Sequence, residues 1–147
     1  MAGSNTETNN IEIAKRYFRC LDAGDPGLFD LFSDDAEFYF PKYGLGVGKG
    51  ALSEIAAERG KVVASSEHAI DGYRFISTGD LVIVEGTTRG QLKTGERWAA
   101  GETPAGRFCN VFEVKDGLIT SLHVYLDPDF ASTHEEAFLW GREGRRW

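Results

Sequence analysis

Cysteine is scarce in this chain. There are two, Cys20 and Cys109, far apart and with no second cysteine at metal-ligand spacing. The plain reading is two buried free thiols in a reducing compartment. Histidine is as sparse: three residues, at positions 68, 123 and 134, are too scattered to form a ligand cluster, so no metal and no other cofactor is expected. No apolar stretch reaches the roughly 20 residues that a membrane helix needs, and no signal-peptide pattern opens the chain. A cytoplasmic protein without a membrane partner is the expectation. Positive charge is in deficit as well. The net charge of −7 repels phosphate backbones, and the arginines at 142, 145 and 146 are too few to reverse that, so no nucleic-acid partner is expected. The glycine-rich run KYGLGVGKG (42–50) lacks the Gly-Lys-Ser/Thr ending of a phosphate loop and reads better as a flexible rim loop.

What is present is apolar and aromatic. Of 147 residues, 41% are hydrophobic and 12% aromatic, with ten phenylalanines, enough for one domain with a wide core or an aromatic-lined pocket. The central stretch is RFCNVFEVKDGLITSLHVYLDPD (107–129). Asp-Gly between two β-rich apolar runs predicts a hairpin turning at 115–117. Alternation puts Phe108, Asn110, Phe112 and Val114 on one face of the first strand. On the second it groups Leu118, Thr120, Leu122, Val124 and Leu126 against Ile119, Ser121, His123, Tyr125 and Asp127. Asn110 is then a lone amide among aromatics. Burying it without a partner costs roughly 1–3 kcal/mol, so it either bonds a neighbour or faces a cavity that holds a ligand.

Upstream, residues 1–9 read as a disordered arm. A capping box at Asn9 and Glu12 opens a helix with its stripe at Ile11, Ala14, Phe18 and Leu21, closed by Gly24. Asp25-Pro26 starts a second, short helix. A turn at Ser33, Asp34 and Asp35 leads to a strand over 36–40 that stops at Pro41. A third helix is predicted over 51–59, strands over 66–77 and 81–92, and a polar loop with Trp98 over 93–104. The tail, 131–147, has partly helical character. Helices followed by long antiparallel strands give an α+β fold: a cone-shaped curved antiparallel sheet with three N-terminal helices on its concave face.

This order, with IAKRYFRCLDAGD (13–25), LFSDDAEFYFP (31–41), the helix after Gly50 and FEVKDGLITSLHVYLD (112–127), resembles the nuclear transport factor two-like superfamily, closest to its SnoaL-like and ketosteroid-isomerase-like branch. The resemblance spans about 10–130 and implies the cone domain there. In steroid isomerases the first helix supplies a tyrosine that donates to the substrate oxyanion, and Tyr17 matches it. Asn110 matches the second oxyanion donor. The base of those enzymes, an Asp before the strand-ending proline, is here Phe40. In scytalone dehydratases a cavity histidine follows the third helix, matched by His68, and an aspartate ends the first, near Asp22. The Arg and two Asp of limonene-type epoxide hydrolases are replaced at Gly86, Thr88 and Val124.

The resemblance therefore implies a cofactor-independent isomerase, dehydratase or cyclase acting on a small hydrophobic carbonyl or polyketide-like compound. His68 would move a proton, Tyr17 and Asn110 would stabilise an enolate, and Asp22 would assist. Phe38, Phe40, Val84, Thr88, Phe108, Phe112, Leu122 and Val124, with Trp98 from its loop, are the expected cavity lining. Each has a plainer alternative: His68 as a core histidine, Tyr17 as a core-capping ring, Trp98 and Tyr43 as contact aromatics. The alternative for the whole is a non-catalytic small-molecule-binding or dimerisation domain. His123 and Tyr125, opposite Leu122 and Val124, point to a homodimer through the outer sheet face, or turn into the cavity if the strand is bulged. Glu85 and Arg89, four apart on one strand, suggest a surface salt bridge, and Asp127 either sits at the cavity mouth or caps a turn.

Overall fold

Residues 4–134 are described by a computed structural model of the chain. The first helix, α1, spans Asn5–Ala23 and starts earlier than the Asn9–Glu12 motif predicts. Ser4 and Glu7 form the capping box instead: Ser4 Oγ accepts from the Glu7 N–H at 3.2 Å, and the Glu7 carboxylate accepts from the Ser4 N–H at 3.1 Å. Residues 4–9 of the expected arm are thus cap and helix. Gly24 ends α1 at φ 62°, a left-handed cap that favours glycine. Asp25 caps the next turn through its 2.8 Å bond from Gly27 N–H, and Pro26–Leu31 winds as a 3₁₀ helix.

The strands are β1 (Phe32–Phe40), β2 (Gly44–Val47), β3 (Val63–His68), β4 (Arg74–Thr78), β5 (Leu81–Leu92), β6 (Arg97–Ala99), β7 (Arg107–Lys115) and β8 (Leu118–Leu126). Helix α2 (Gly48–Val62) separates β2 from β3. Four local expectations change. Ser33, Asp34 and Asp35 are a bulged part of β1 rather than a turn. The rim run is a tight hairpin, β1 against β2, rather than a loop. The single strand expected over 66–77 is broken by a 3₁₀ turn at Ile70–Gly72. In the polar loop, β6 is an extra strand, and Trp98 within it is buried.

The sheet runs β2-β1-β8-β7-β5-β3, with β4 and β6 also on β5. It is mixed, not wholly antiparallel: β1 lies parallel to β8. Strand β5 is its spine. Its first half pairs with β4 on one side and β7 on the other, its second half with β3 and β6. Two partners in succession along each edge require the strand to bend, and glycine permits the close passage. A Cβ on Gly90 would lie 2.3 Å from both the Ser65 carbonyl and the Trp98 ring.

The hairpin turns at Asp116 and Gly117, both at positive φ, as Asp-Gly predicts. A bulge between Glu113 and Val114 then shifts the register. This overturns the expected faces at the start of β8: Ile119 is fully buried and Leu118 is exposed, while Leu122 and Val124 keep the inward side.

Helix α1 lies on the concave face and buries Ala14, Tyr17, Phe18 and Cys20, packing with Phe108 and Phe112 of β7, Val82 and Val84 of β5, and Ile119 and Leu122 of β8. Its N-terminal end is tied to the β4–β5 turn, where Asn10 Nδ2 donates to Gly79 O and Gly79 N–H donates to Glu7. A smaller cluster of Leu92, Trp98 and Ala105 sits by Val63 and Phe130. Cys20 is buried and Cys109 half-buried, both free. The predicted tail helix lies outside the described residues beyond 134.

Replacing Gly90 by alanine is expected to destabilise the domain by about 1–3 kcal/mol, because the methyl meets backbone and a buried indole. Thermal unfolding of the variant checks this, and an unchanged melting temperature would remove Gly90 from the account of the bend.

Candidate active site

The apolar face of α1 has polar groups at its cavity end. Asp22, in the last turn of α1, reaches the end of β3. Its Oδ2 accepts from the His68 backbone N–H at 2.8 Å, and its Oδ1 lies 2.5 Å from His68 Nδ1. With Nδ1 carrying its proton toward the carboxylate, Nε2 is left as the acceptor on a ring that lines the cavity. The ring is walled by Phe18 and Phe108, at 5.1 and 5.8 Å between centroids. Burial pulls the His68 pKa below its ordinary 6.5, and the bond to Asp22 only partly offsets that. At neutral pH the imidazole is an uncharged base.

Tyr17 packs edge-on against Phe18, Phe112 and Phe32. Burial pushes its phenol up to about 12, although the positive charge of Arg59 works against the shift. It therefore keeps its proton and can donate it in a hydrogen bond. Asn110 is 3% exposed, between Phe108 and Phe112, and its Oδ1 has no partner among the described residues. Asn110, Tyr17 and His68 line one hollow of about 460 Å³.

Arg59 is the residue the sequence reading missed. It stands on α2 behind Leu52 and Ile55 and before Val62, all lining the same cavity. Its Nη2 donates to Ser66 Oγ at 2.7 Å, and that hydroxyl lies 3.5 Å from Asp22 Oδ1. Burial lowers its pKa, opposed by Tyr17 and Asp22, but a guanidinium stays charged. The signal was available: an arginine at helical spacing from Leu52, Ile55 and Val62 interrupts an apolar stripe.

Of the expected lining, Phe38, Phe40, Thr88, Phe108, Val124 and Trp98 face the cavity. Val84, Phe112 and Leu122 do not. They are fully buried on the same sheet face but toward the closed end, where the Tyr17 and Phe18 rings fill the space. The exposed side chains of Lys42, Glu58 and Val62 mark the opening, and Tyr43, Pro128 and Phe130 also line the cavity. Asp127 accepts from the Asp129 N–H and so caps a turn. His123 and Tyr125 lie outside the cavity, His123 bonded to Glu37 at 2.7 Å and Tyr125 beside Tyr39. Glu85 and Arg89 do not pair with each other: Glu85 meets Arg74 and Arg89 meets Glu67, because neighbouring strands β4 and β3 bring these partners closer. Among the described residues no group of His, Cys, Asp and Glu is disposed to hold a metal, and no helix is long and apolar enough to cross a membrane.

A family model of the SnoaL-like domain matches residues 14–122. Among solved structures, an NTF2-like protein of unknown function from Burkholderia pseudomallei K96243 is similar at TM-score 0.70 and 18% identity, over 81% of this chain and 91% of its own. A candidate polyketide cyclase from Xanthomonas campestris pv. campestris gives 0.72 and 14%, over 82% and 92%. TerC, co-crystallised with polyporic acid, gives 0.67 and 22%, over 81% and 92%. At these identities the likeness is one of fold. No curated protein matches the sequence.

The folded His68 binds its proton less readily than an unfolded histidine. Its contribution to stability is therefore complete above pH 6.5 and is lost as pH falls through the folded value. Titration of the ring by NMR is expected to show a midpoint below 6.5. Asp22→Asn should move that midpoint further down, since the carboxylate is what opposes desolvation. A midpoint at or above 6.5 would overturn the neutral-base assignment.

Proposed function

The chain belongs to the SnoaL-like domain family, within the NTF2-like superfamily, and on that footing we propose a cofactor-independent enzyme that isomerises, dehydrates or cyclises a small hydrophobic carbonyl compound. The observation that carries the reading is the Asp22–His68 pair, with a carboxylate holding one imidazole nitrogen at 2.5 Å while the ring lines an apolar cavity shared with Tyr17. A base oriented by a carboxylate and facing an apolar hollow is the arrangement that proton abstraction next to a carbonyl needs.

His68 Nε2 takes a proton from the carbon beside the carbonyl, and the electron pair moves onto the carbonyl oxygen. Tyr17 Oη–H, still protonated because burial raises its pKa to about 12, donates to that oxyanion, with Asn110 Nδ2–H as second donor. The imidazolium, steadied by Asp22, returns the proton. Delivered to a second carbon it completes an isomerisation; delivered to a departing hydroxyl it releases water. If the enolate carbon attacks a carbonyl within the same molecule, the product is a ring. The names of two similar structures, a candidate polyketide cyclase and a protein crystallised with polyporic acid, fit a substrate of this kind. One observation favours binding without turnover. The strand-end position that holds the base in steroid isomerases is Phe40, which here lines the cavity.

Screening apolar carbonyl compounds for turnover tests the reading. With a substrate found, His68→Ala is expected to lower kcat by about 10²–10⁴-fold, and Tyr17→Phe by about 10²-fold. The rate should hold from neutral pH down to below 6.5 and then fall as the base protonates. Unchanged rates in both variants would reject the assignment and leave the binding-protein reading.

A further inference from the structure

The proposed proton transfer uses Tyr17, Asn110, His68 and Asp22. It leaves Arg59 without a task. A guanidinium drawn into an apolar wall is costly unless something recovers the lost solvation. A carboxylate usually does so, but the partner here is a hydroxyl, Ser66 Oγ, bonded to Nη2 alone. Arg59 makes no ion pair among the described residues. Asp22, the nearest acidic influence, has both oxygens committed to His68 and is separated from Arg59 by the Ser66 hydroxyl. At the opening, Lys42 and Glu58 are exposed, and Glu58 is paired with Lys61. Arg59 lines a hollow whose walls are mainly apolar and aromatic, with Tyr17, His68, Thr88 and Asn110 among the polar groups. A planar fork of charged donors in such a place is matched by a planar anion.

We propose that Arg59 is the recognition group for an anionic substituent, and that the cavity takes an aromatic or polyketide-sized monoanion whose carboxylate or acidic enol lies against Arg59 while its apolar body fills the hollow. The assignment rests on the reading of this cavity as the substrate site and adds the substrate's charge. It also separates two duties. Arg59 holds a charge the ligand already has, and Tyr17 holds the charge the reaction creates. Two charges at two points orient the reacting carbon toward His68 in a way that apolar contact alone does not.

The competing role for Arg59 is internal: to steady the Ser66–Asp22–His68 chain. The two are separable by binding. Calorimetric titration with 2-naphthoate and with 2-naphthamide, of the same rings and nearly the same shape, is expected to show the full-length protein binding the carboxylate about tenfold or more tightly. Arg59→Met should abolish that preference by weakening 2-naphthoate while leaving 2-naphthamide within about twofold, and Arg59→Lys should keep part of it. The wild-type comparison stands even if Arg59→Met folds poorly. Equal binding of the two probes to wild type, binding of neither, or an equal loss of both in Arg59→Met would overturn the proposal. The His68→Ala variant keeps the charge preference if Arg59 acts as proposed. An intact preference in a protein that turns over no substrate would therefore count against the catalytic reading and leave the anion site standing.

Discussion

The contact on which the site depends is the one between Asp22 and His68. It joins the C-terminal turn of α1 to the last residue of β3, 46 positions away in sequence, through both carboxylate oxygens. One oxygen fixes the strand backbone and the other fixes the ring, so the place of the imidazole and its tautomer are set by the same group. Because β3 ends there, the chain leaves the sheet directly after His68 and winds into the turn at Ile70–Gly72. Ser66, two residues earlier on the same strand and face, then falls beside both Asp22 and Arg59. The dyad and the cation are consequences of one docking event between a helix end and a strand end.

That docking leaves a hollow because α1 covers only part of a bent sheet. At the closed end the Tyr17 and Phe18 rings pack on the buried Phe112 at 5.4 and 6.1 Å between centroids. Further along, Leu52, Ile55, Ala56 and Val62 of α2 form the opposite wall of the hollow. The polar groups gather where the aromatic packing stops. A lone amide such as Asn110 destabilises a filled core, but beside a hollow it keeps a ligand as its prospective partner.

The parts of this arrangement that were legible in the sequence are the local ones. Asp116-Gly117 marks its own turn, and alternation along β7 puts Asn110 on the buried face because no irregularity intervenes within that strand. The resemblance to the NTF2-like superfamily singled out Tyr17, His68, Asp22 and Asn110 one at a time. What stayed hidden is non-local. The reversal of Leu118 and Ile119 arises from a register shift against the partner strand, which no property of LITSL reveals. The parallel pairing of β1 with β8 brings together segments from opposite ends of the domain. Spacing along one strand pairs Glu85 with Arg89, while their real partners sit on neighbouring strands. Arg59 was missed for a different reason. Its spacing from Leu52, Ile55 and Val62 is visible in the sequence, but that this stripe faces a hollow is not.

Burial acts on these groups in one direction. It raises Tyr17 to about 12, holds His68 below 6.5 and lowers Arg59, each time favouring the neutral form. For tyrosine and histidine the outcome suits the proposed proton transfer. Between the two values the phenol keeps its proton and the imidazole lacks one, so a hydrogen-bond donor and a base coexist over several pH units without either being ionised. An ion pair of the same two residues has neither property. Arginine is the exception, because its proton affinity lies too high for this degree of burial to discharge it. The same desolvation that readies the acid and the base thus leaves one fixed positive charge in the wall. A fixed charge in a medium of low polarity acts strongly on whatever enters. It favours a ligand that brings the opposite charge and, by holding that end still, presents the rest of the molecule to a base that is already unprotonated.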